Sequence, residues 1–272
     1  MLAINNYAPR KPRCRTILRR LLLLTMLTAL GFNLSARSEE IDAKHSAFAR
    51  RAQEKYVAAQ KRFLAEPTNS LAVVEFARAC FDRAEYATND TERALIAVQG
   101  ITVCRELISR NVNSAEGHYY LGMNLGQLAR TKTLGALRIV DEMEREFKMA
   151  RALNEHLDYA GPDRNLGLLY LDAPSIASIG SRSKARQHLL RAAALAPLYP
   201  ENRLNLAEAY LKWGDYVGAN RELTALKENL PRARAEFAGE DWAASWADWE
   251  ARMKKIEAKV EGAGKAIVTP RH

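Results

Sequence analysis

The sequence predicts an all-α protein, a superhelical solenoid of about four helix pairs with flanking capping helices. Three observations predict it. Apolar residues recur at three- and four-residue steps along most of the chain, strand signals are nearly absent, and one order of large, small and aromatic residues returns several times in phase. With 27% charged residues, 48% hydrophobic residues and only 14 glycines, the composition excludes wholesale disorder.

Residues 1–36 are read as a signal peptide. A basic start ends at Arg20, LLLLTMLTALGF supplies an apolar core, and Asn33-Leu34-Ser35-Ala36 offers small residues for cleavage, so the mature chain is expected to begin near Arg37. The competing reading is an uncleaved anchor, which normally needs about 20 apolar residues, a run that Arg19 and Arg20 cut short. The expected location is therefore exported and periplasmic, with membrane contact only if the segment stays uncleaved. Cys14 precedes the apolar run and is not placed as the acylated cysteine of a lipoprotein, and Arg19-Arg20 is only a weak twin-arginine signal. Six basic residues and no acid in residues 1–36 account for most of the formal +9, leaving +3 for the rest. No basic stripe with interleaved aromatics follows, so nucleic acid is not an expected partner.

Residues 37–69 form a leading helix: Ile41, His45, Phe48, Ala52, Tyr56, Ala59 and Phe63 make one inward stripe, and Glu66-Pro67-Thr68-Asn69 stops it. Residues 70–231 carry the repeats. In the clearest copy, Leu206, Ala207 and Tyr210 lie on a first helix, Trp213-Gly214-Asp215-Tyr216 turns the chain, and Ala219, Leu223 and Leu226 resume the apolar face before Pro231 closes it. Ala207 and Ala219 are small enough to let two antiparallel helices approach. Leu166-Gly167, Tyr170, Ala185, Leu189, Ala192 and Pro197 repeat the order with extra residues between the helices. Leu121-Gly122, Leu125, Phe147 and Ala150 repeat it again across an insertion, TKTLGALRIV. A weaker copy has Phe76, Ala77, Cys80, Ala97, Ile101 and Cys104. The pattern resembles the tetratricopeptide (TPR) repeat, with Arg203 in place of the usual early aromatic. Residues 232–262 form a capping helix whose Trp242, Trp246, Trp249, Met253 and Ile256 share a face that must dock, on the outer face of the last repeat or else on a partner or membrane surface. Residues 263–272 read as a frayed tail.

No catalytic or metal motif stands out, so the chain is expected not to be an enzyme and to need no cofactor. His45, His118, His156, His188 and His272 lack ligand spacing, and the offset of Cys80 from Cys104 in an antiparallel hairpin disfavours a disulfide. His156, Asp158 and Asp163 are weighed as a converging site and read instead as cap and turn chemistry around Gly161-Pro162, with Asp163 near the start of the next helix.

Resemblance to TPR proteins implies that the first helix of each pair lines a concave groove. It places Tyr119, Met123, Arg164, Leu168, Leu171, Leu204, Glu208, Leu211 and Lys212 there, six of these nine being apolar. Such a groove suits a partner protein or peptide or a hydrophobic small molecule, unless the inserted loops or the tryptophan helix fill it. The run from Gly161-Pro162-Asp163-Arg164 through Ala173-Pro174 and Ile179-Gly180-Ser181 to Tyr199-Pro200-Glu201-Asn202 also resembles the exported TPR-type accessory component of TRAP transporters. That likeness implies a periplasmic helical protein with a hydrophobic-ligand cavity and a solute-binding protein as partner.

Overall fold

The computed structural model describes residues 46–132, 135–174 and 178–268, so the expected signal peptide, Ile41 and His45 of the leading stripe, and the last four residues lie outside it. The chain divides into Met1–Arg50, of which residues 46–50 are described and helical, and Arg51–His272. In the second unit α1 covers residues 51–65, followed by α2 (Ser70–Glu85), α3 (Asp90–Arg110), α4 (Ala115–Ala129), α5 (Ala136–Leu153), α6 (Leu157–Asp172), α7 (Arg182–Leu195), α8 (Pro200–Lys212), α9 (Tyr216–Glu236), a 3-10 turn (Glu240–Trp242) and α10 (Ala243–Val268). Among the described residues there is no strand, and no helix is long and apolar enough to cross a membrane.

Local chemistry starts half of these ten α-helices. Asn69, Asn89, Ser114, Ser181 and Asp215 each accept a hydrogen bond from a backbone N–H of the first turn they precede. Those N–H groups have no partner within the helix, which is why short polar side chains recur at these places.

Successive helices pack as antiparallel pairs, α2 on α3, α4 on α5, α6 on α7 and α8 on α9. The first helices also touch one another, α2 to α4, α4 to α6 and α6 to α8, and so build a continuous inner layer, while α3, α5 and α7 form the outer one. Small residues make the pairing possible. A Cβ on Gly122 would come within 2.6 Å of the Phe147 ring, and one on Gly167 within 2.6 Å of Leu189 Cγ. Ala207 and Ala219 serve the last pair, with 1% and 0% of their surface exposed. Ala219→Phe is expected to lower stability by about 1–3 kcal/mol through overpacking, and an unchanged denaturation midpoint would show that this contact is not needed. Arg203, standing where an aromatic residue is usual, reaches Glu222 of α9 at 2.9 Å and holds the same two helices by an ion pair.

The turn expected around Gly161-Pro162 falls just before it, at Asp158–Ala160, and Asp163 lies in the first turn of the right-handed helix that follows, as expected. The structure departs from expectation in three places. The TKTLGALRIV stretch is not all insertion, because α5 already begins at Ala136. Pro231 does not end α9, which continues to Glu236. A proline inside a helix costs about 3 kcal/mol; the turn beyond it seats Ala233 and Phe237, 0% and 2% exposed, against the last helix, and offsets that loss. Finally, helix persists to Val268 where fraying was expected from residue 263.

The tryptophan stripe docks within the chain. Trp249, Met253 and Ile256 are buried with Tyr199, Leu204 and Ala207 of the α8 region and Leu223, Leu226 and Phe237 of α9. Trp246 donates its indole N–H to the Phe237 carbonyl at 2.7 Å. At the other end Tyr56 and Phe63 of α1 pack on Phe76 of α2, with ring centroids 5.6 and 5.2 Å apart. Cys80 and Cys104 are free and buried, and burial pushes the Cys80 thiol up to about 12.

Candidate functional site

The inner layer is interrupted at the start of α6 by three consecutive left-handed residues, Asp158 (φ 49°, ψ 48°), Tyr159 (φ 56°, ψ 51°) and Ala160 (φ 63°, ψ 34°). None is glycine, and each costs about 1–2 kcal/mol relative to ordinary backbone. Right-handed helix resumes at Gly161, where a Cβ would lie 2.5 Å from the Tyr119 hydroxyl. Only glycine lets α4 and α6 meet there.

Arg164 holds the turn. Its Nη1 donates to the Asp158 carbonyl at 3.1 Å, the Tyr159 carbonyl at 3.3 Å and Asn202 Oδ1 at 3.3 Å. Its Nη2 donates to the Asp158 carboxylate at 2.6 Å and the Tyr119 hydroxyl at 3.3 Å. Tyr119 donates in turn to Asp158 Oδ2 at 2.5 Å. Asn202 Nδ2 donates to the Tyr159 carbonyl at 3.0 Å, and Tyr159 stacks on Tyr199 with centroids 4.6 Å apart. The planar guanidinium suits this task because it presents five donors in one fork, above the Tyr199 ring at 5.0 Å. Burial alone would lower the Arg164 pKa, but the opposing charges of Tyr119 and Asp158 hold it well above its ordinary value. Burial also raises the Tyr119 hydroxyl far above the usual tyrosine range.

Around this lock the concave face is polar. Asp82 of α2 has a side chain 44% exposed, yet loss of water between the surrounding walls pushes its carboxyl up to about 6. Arg78 and Lys55 act against that rise, while Asp158 and Glu85 add to it. Arg130 pairs with Glu85 at 2.9 Å, and the charge of Asp248 on α10 reaches Tyr86 at the end of α2. Arg252 of α10 bonds Glu208 of α8 at 2.7 Å and also Asn205. Two ion pairs bridge the ends of the array, Arg51 to Glu240 at 2.5 Å and Lys55 to Asp241 at 2.8 Å. Both are exposed, so each contributes at most about 1 kcal/mol.

Against this geometry the expected groove residues separate. Tyr119, Arg164 and Leu204 are 0%, 4% and 0% exposed and belong to the protein's interior. Leu204 is covered by α9 and α10. Leu168, Leu171 and Leu211 are half-buried and pack, with Trp213 and Val260 of α10, against the core under α7 to α9. Met123 packs on the neighbouring core. Glu208 is held by Arg252, and Lys212 is exposed, donating to the Leu171 carbonyl at 3.1 Å and Asp172 at 2.9 Å. The leucines therefore do not form an open apolar wall, because α8, α9 and α10 use the same side chains for packing.

His156, Asp158 and Asp163 do not converge. His156 lies 3.7 Å from Glu155, Asp158 serves Arg164, and Asp163 is buried with His188 Nδ1 at 2.6 Å and Arg191 Nε at 3.0 Å. Among the described residues no three of His, Cys, Asp and Glu gather as metal ligands. Sequence reasoning missed Tyr159, Tyr199 and Asn202 of the lock and the Asp163–His188 pair. Asp163 lies near the start of one helix and His188 in the middle of the helix paired with it, so only the pairing register could have revealed them.

Stacked pairs with a continuous inner layer, glycine-mediated close approach and a docked terminal helix define a TPR-like superhelical solenoid. No protein-family model matches the chain, and no curated protein does. Among solved structures it is similar to TTC0263, a thermophilic TPR protein in Thermus thermophilus, with TM-score 0.56 and 19% identity over 79% of this chain and 99% of that one. A structure of MamA is similar with TM-score 0.42 and 18% identity over 66% of this chain and 88% of the other. At that identity the likeness to TTC0263 is one of fold.

Proposed function

We propose that the chain is a non-enzymatic scaffold that holds a partner protein or peptide against the concave face of its solenoid. The observation that carries this is the accessible charge on the inner layer: Arg78 and Asp82 on α2, Glu85 beside them and Asp248 on α10 have side chains 61%, 44%, 43% and 61% exposed. Asp248 stands on the helix seated by its tryptophans, and α2 packs on α4, which Tyr119 ties to Arg164, so a bound segment meets a surface already in place. The ion pairs of these charged side chains, Arg78–Asp82, Arg130–Glu85 and Arg252–Asp248, are part-exposed and weak, whereas the Arg164 and Asp163 networks are buried. The basic and apolar segment at residues 1–36 supports an exported setting.

The finer proposal is an accessory subunit of a TRAP-type transporter. It rests on the stretch 161–202, whose Arg164, Tyr199 and Asn202 all enter the lock and so keep the concave face in shape. A photo-crosslinking side chain placed at position 78 in the full chain, expressed in its own cell, is expected to capture one polypeptide, and Asp82→Lys to reduce that product. A solute-binding protein in the product supports the finer proposal. Equal labelling from position 145 on the outer layer, undiminished by Asp82→Lys, would overturn the concave assignment.

A further inference from the structure

We infer that a second site, on the outer layer between α5 and α7, binds the phosphoryl group of hydrogen phosphate or of a phosphate ester. A cleft of about 400 Å³ opens there, lined by Lys148 and Arg151 of α5, Tyr170 of α6, and Lys184, Gln187 and His188 of α7. Spacing of three and four residues on each helix points these side chains at one another across the cleft. The helix α7, RSKARQHLLRAAAL, contains no acid.

The acids near the cleft lie beneath the cations and are already occupied. Glu144, 17% exposed, accepts the Tyr170 hydroxyl at 2.5 Å and Lys148 at 2.7 Å. Asp163, 0% exposed, takes His188 and Arg191, with Arg151 further off at 3.7 Å. Lys184 has no carboxylate within ion-pair distance among the described residues, and its ammonium sits 5.0 Å over the Tyr170 ring, in the floor of the cleft. Lys148 and Arg151 thus share the carboxylates beneath them, and Lys184 is the cation at the mouth that no carboxylate takes within ion-pair distance among the described residues.

His188 gives the site its chemical preference. Its Nδ1 faces Asp163, its ring lies 5.5 Å from Tyr170 at an interplanar angle of 23°, and it is 8% exposed, so the imidazole cannot turn freely. With Nδ1–H donated to Asp163, Nε2 has no partner among the described residues and is an acceptor on the cleft wall. Hydrogen phosphate fits that arrangement: its O–H donates to Nε2 while its other oxygens accept from Lys184, Arg151 and the Gln187 amide. Sulfate, which lacks the O–H, satisfies the cations but not the imidazole.

The test is calorimetric titration of the purified chain with inorganic phosphate, paired with the NMR signal of the His188 ring, against sulfate at equal ionic strength. Saturable phosphate binding, tighter than sulfate although sulfate carries the larger charge at pH 7, is expected. Lys184→Gln and Arg151→Gln should each weaken it about tenfold, the loss of one charge-assisted bond, while Arg232→Gln on exposed α9 leaves it unchanged. Vesicles of phosphatidylcholine with and without phosphatidic acid distinguish the sources. Binding to phosphatidic acid that phosphate displaces supports a lipid headgroup, and phosphate binding without it supports a free ligand. Sulfate binding equal to or tighter than phosphate, no shift of the His188 ring, or equal affinity in Lys184→Gln would overturn the site.

Discussion

Arg164→Met is expected to destabilise the protein by about 3 kcal/mol, because the Asp158 carboxylate, three-quarters buried, loses its cation. The same change strips two carbonyls and the Asn202 amide of a donor, in a turn whose three left-handed residues already disfavour folding. Arg164→Lys should recover only part of the loss, since one ammonium has three donors and cannot span acceptors on both sides of the turn. The measurement is a urea denaturation midpoint, read with the near-ultraviolet circular dichroism of the stacked Tyr159 and Tyr199. A loss below about 1 kcal/mol, the level of an exposed ion pair, would mean that Asp158 is solvated in solution and that the lock does not exist.

Trp249→Ala is expected to be of similar size, about 3–5 kcal/mol, as the transfer and cavity terms of a large buried aromatic combine. Trp249 is 1% exposed and packs edge-on against Tyr199 and Phe237, with centroids 5.4 and 6.2 Å apart, so its removal opens the seam between α10 and the last pair. Deleting residues 240–272 carries the same effect further and should raise binding of a hydrophobic dye, because Leu204 and Phe237 lose their cover. Trp246→Ala, by comparison, removes a half-buried ring stacked under Arg234 at 4.3 Å and should cost clearly less. Equal effects of the two substitutions would place the anchor of α10 elsewhere.

Both effects arise where the chain's local signals were legible in different degrees. The tryptophan stripe could be read as a face that must dock, since three indoles at helical spacing are too large an apolar patch to leave wet. Its seat on the last pair, α8 and α9, could be read as well, but not which side chains it covers, because the outer face of the repeat and the groove side offer similar leucines. For Arg164 the sequence pointed to the inner layer but implied an accessible ligand contact. Burial reversed that, and the cause is the left-handed turn at Asp158–Ala160, which swings a carboxylate and two carbonyls onto the guanidinium. Gly161-Pro162 marks a turn nearby, but none of the three left-handed residues is a glycine, so nothing in the local propensities announces its backbone form.

Period and spacing alone determined the class of architecture: helix faces recurring every three or four residues, small residues at fixed places, and polar caps ahead of several first turns are local chemistry that neighbouring residues settle among themselves. Tertiary structure decided what each inward side chain does. Leu204 became core, Asp82 became a half-exposed carboxyl with a raised pKa, and Asp163 found His188 from 25 residues away. Those outcomes depend on which helices lie opposite, and helix register across a solenoid is set by the packing of whole faces, which no single segment encodes.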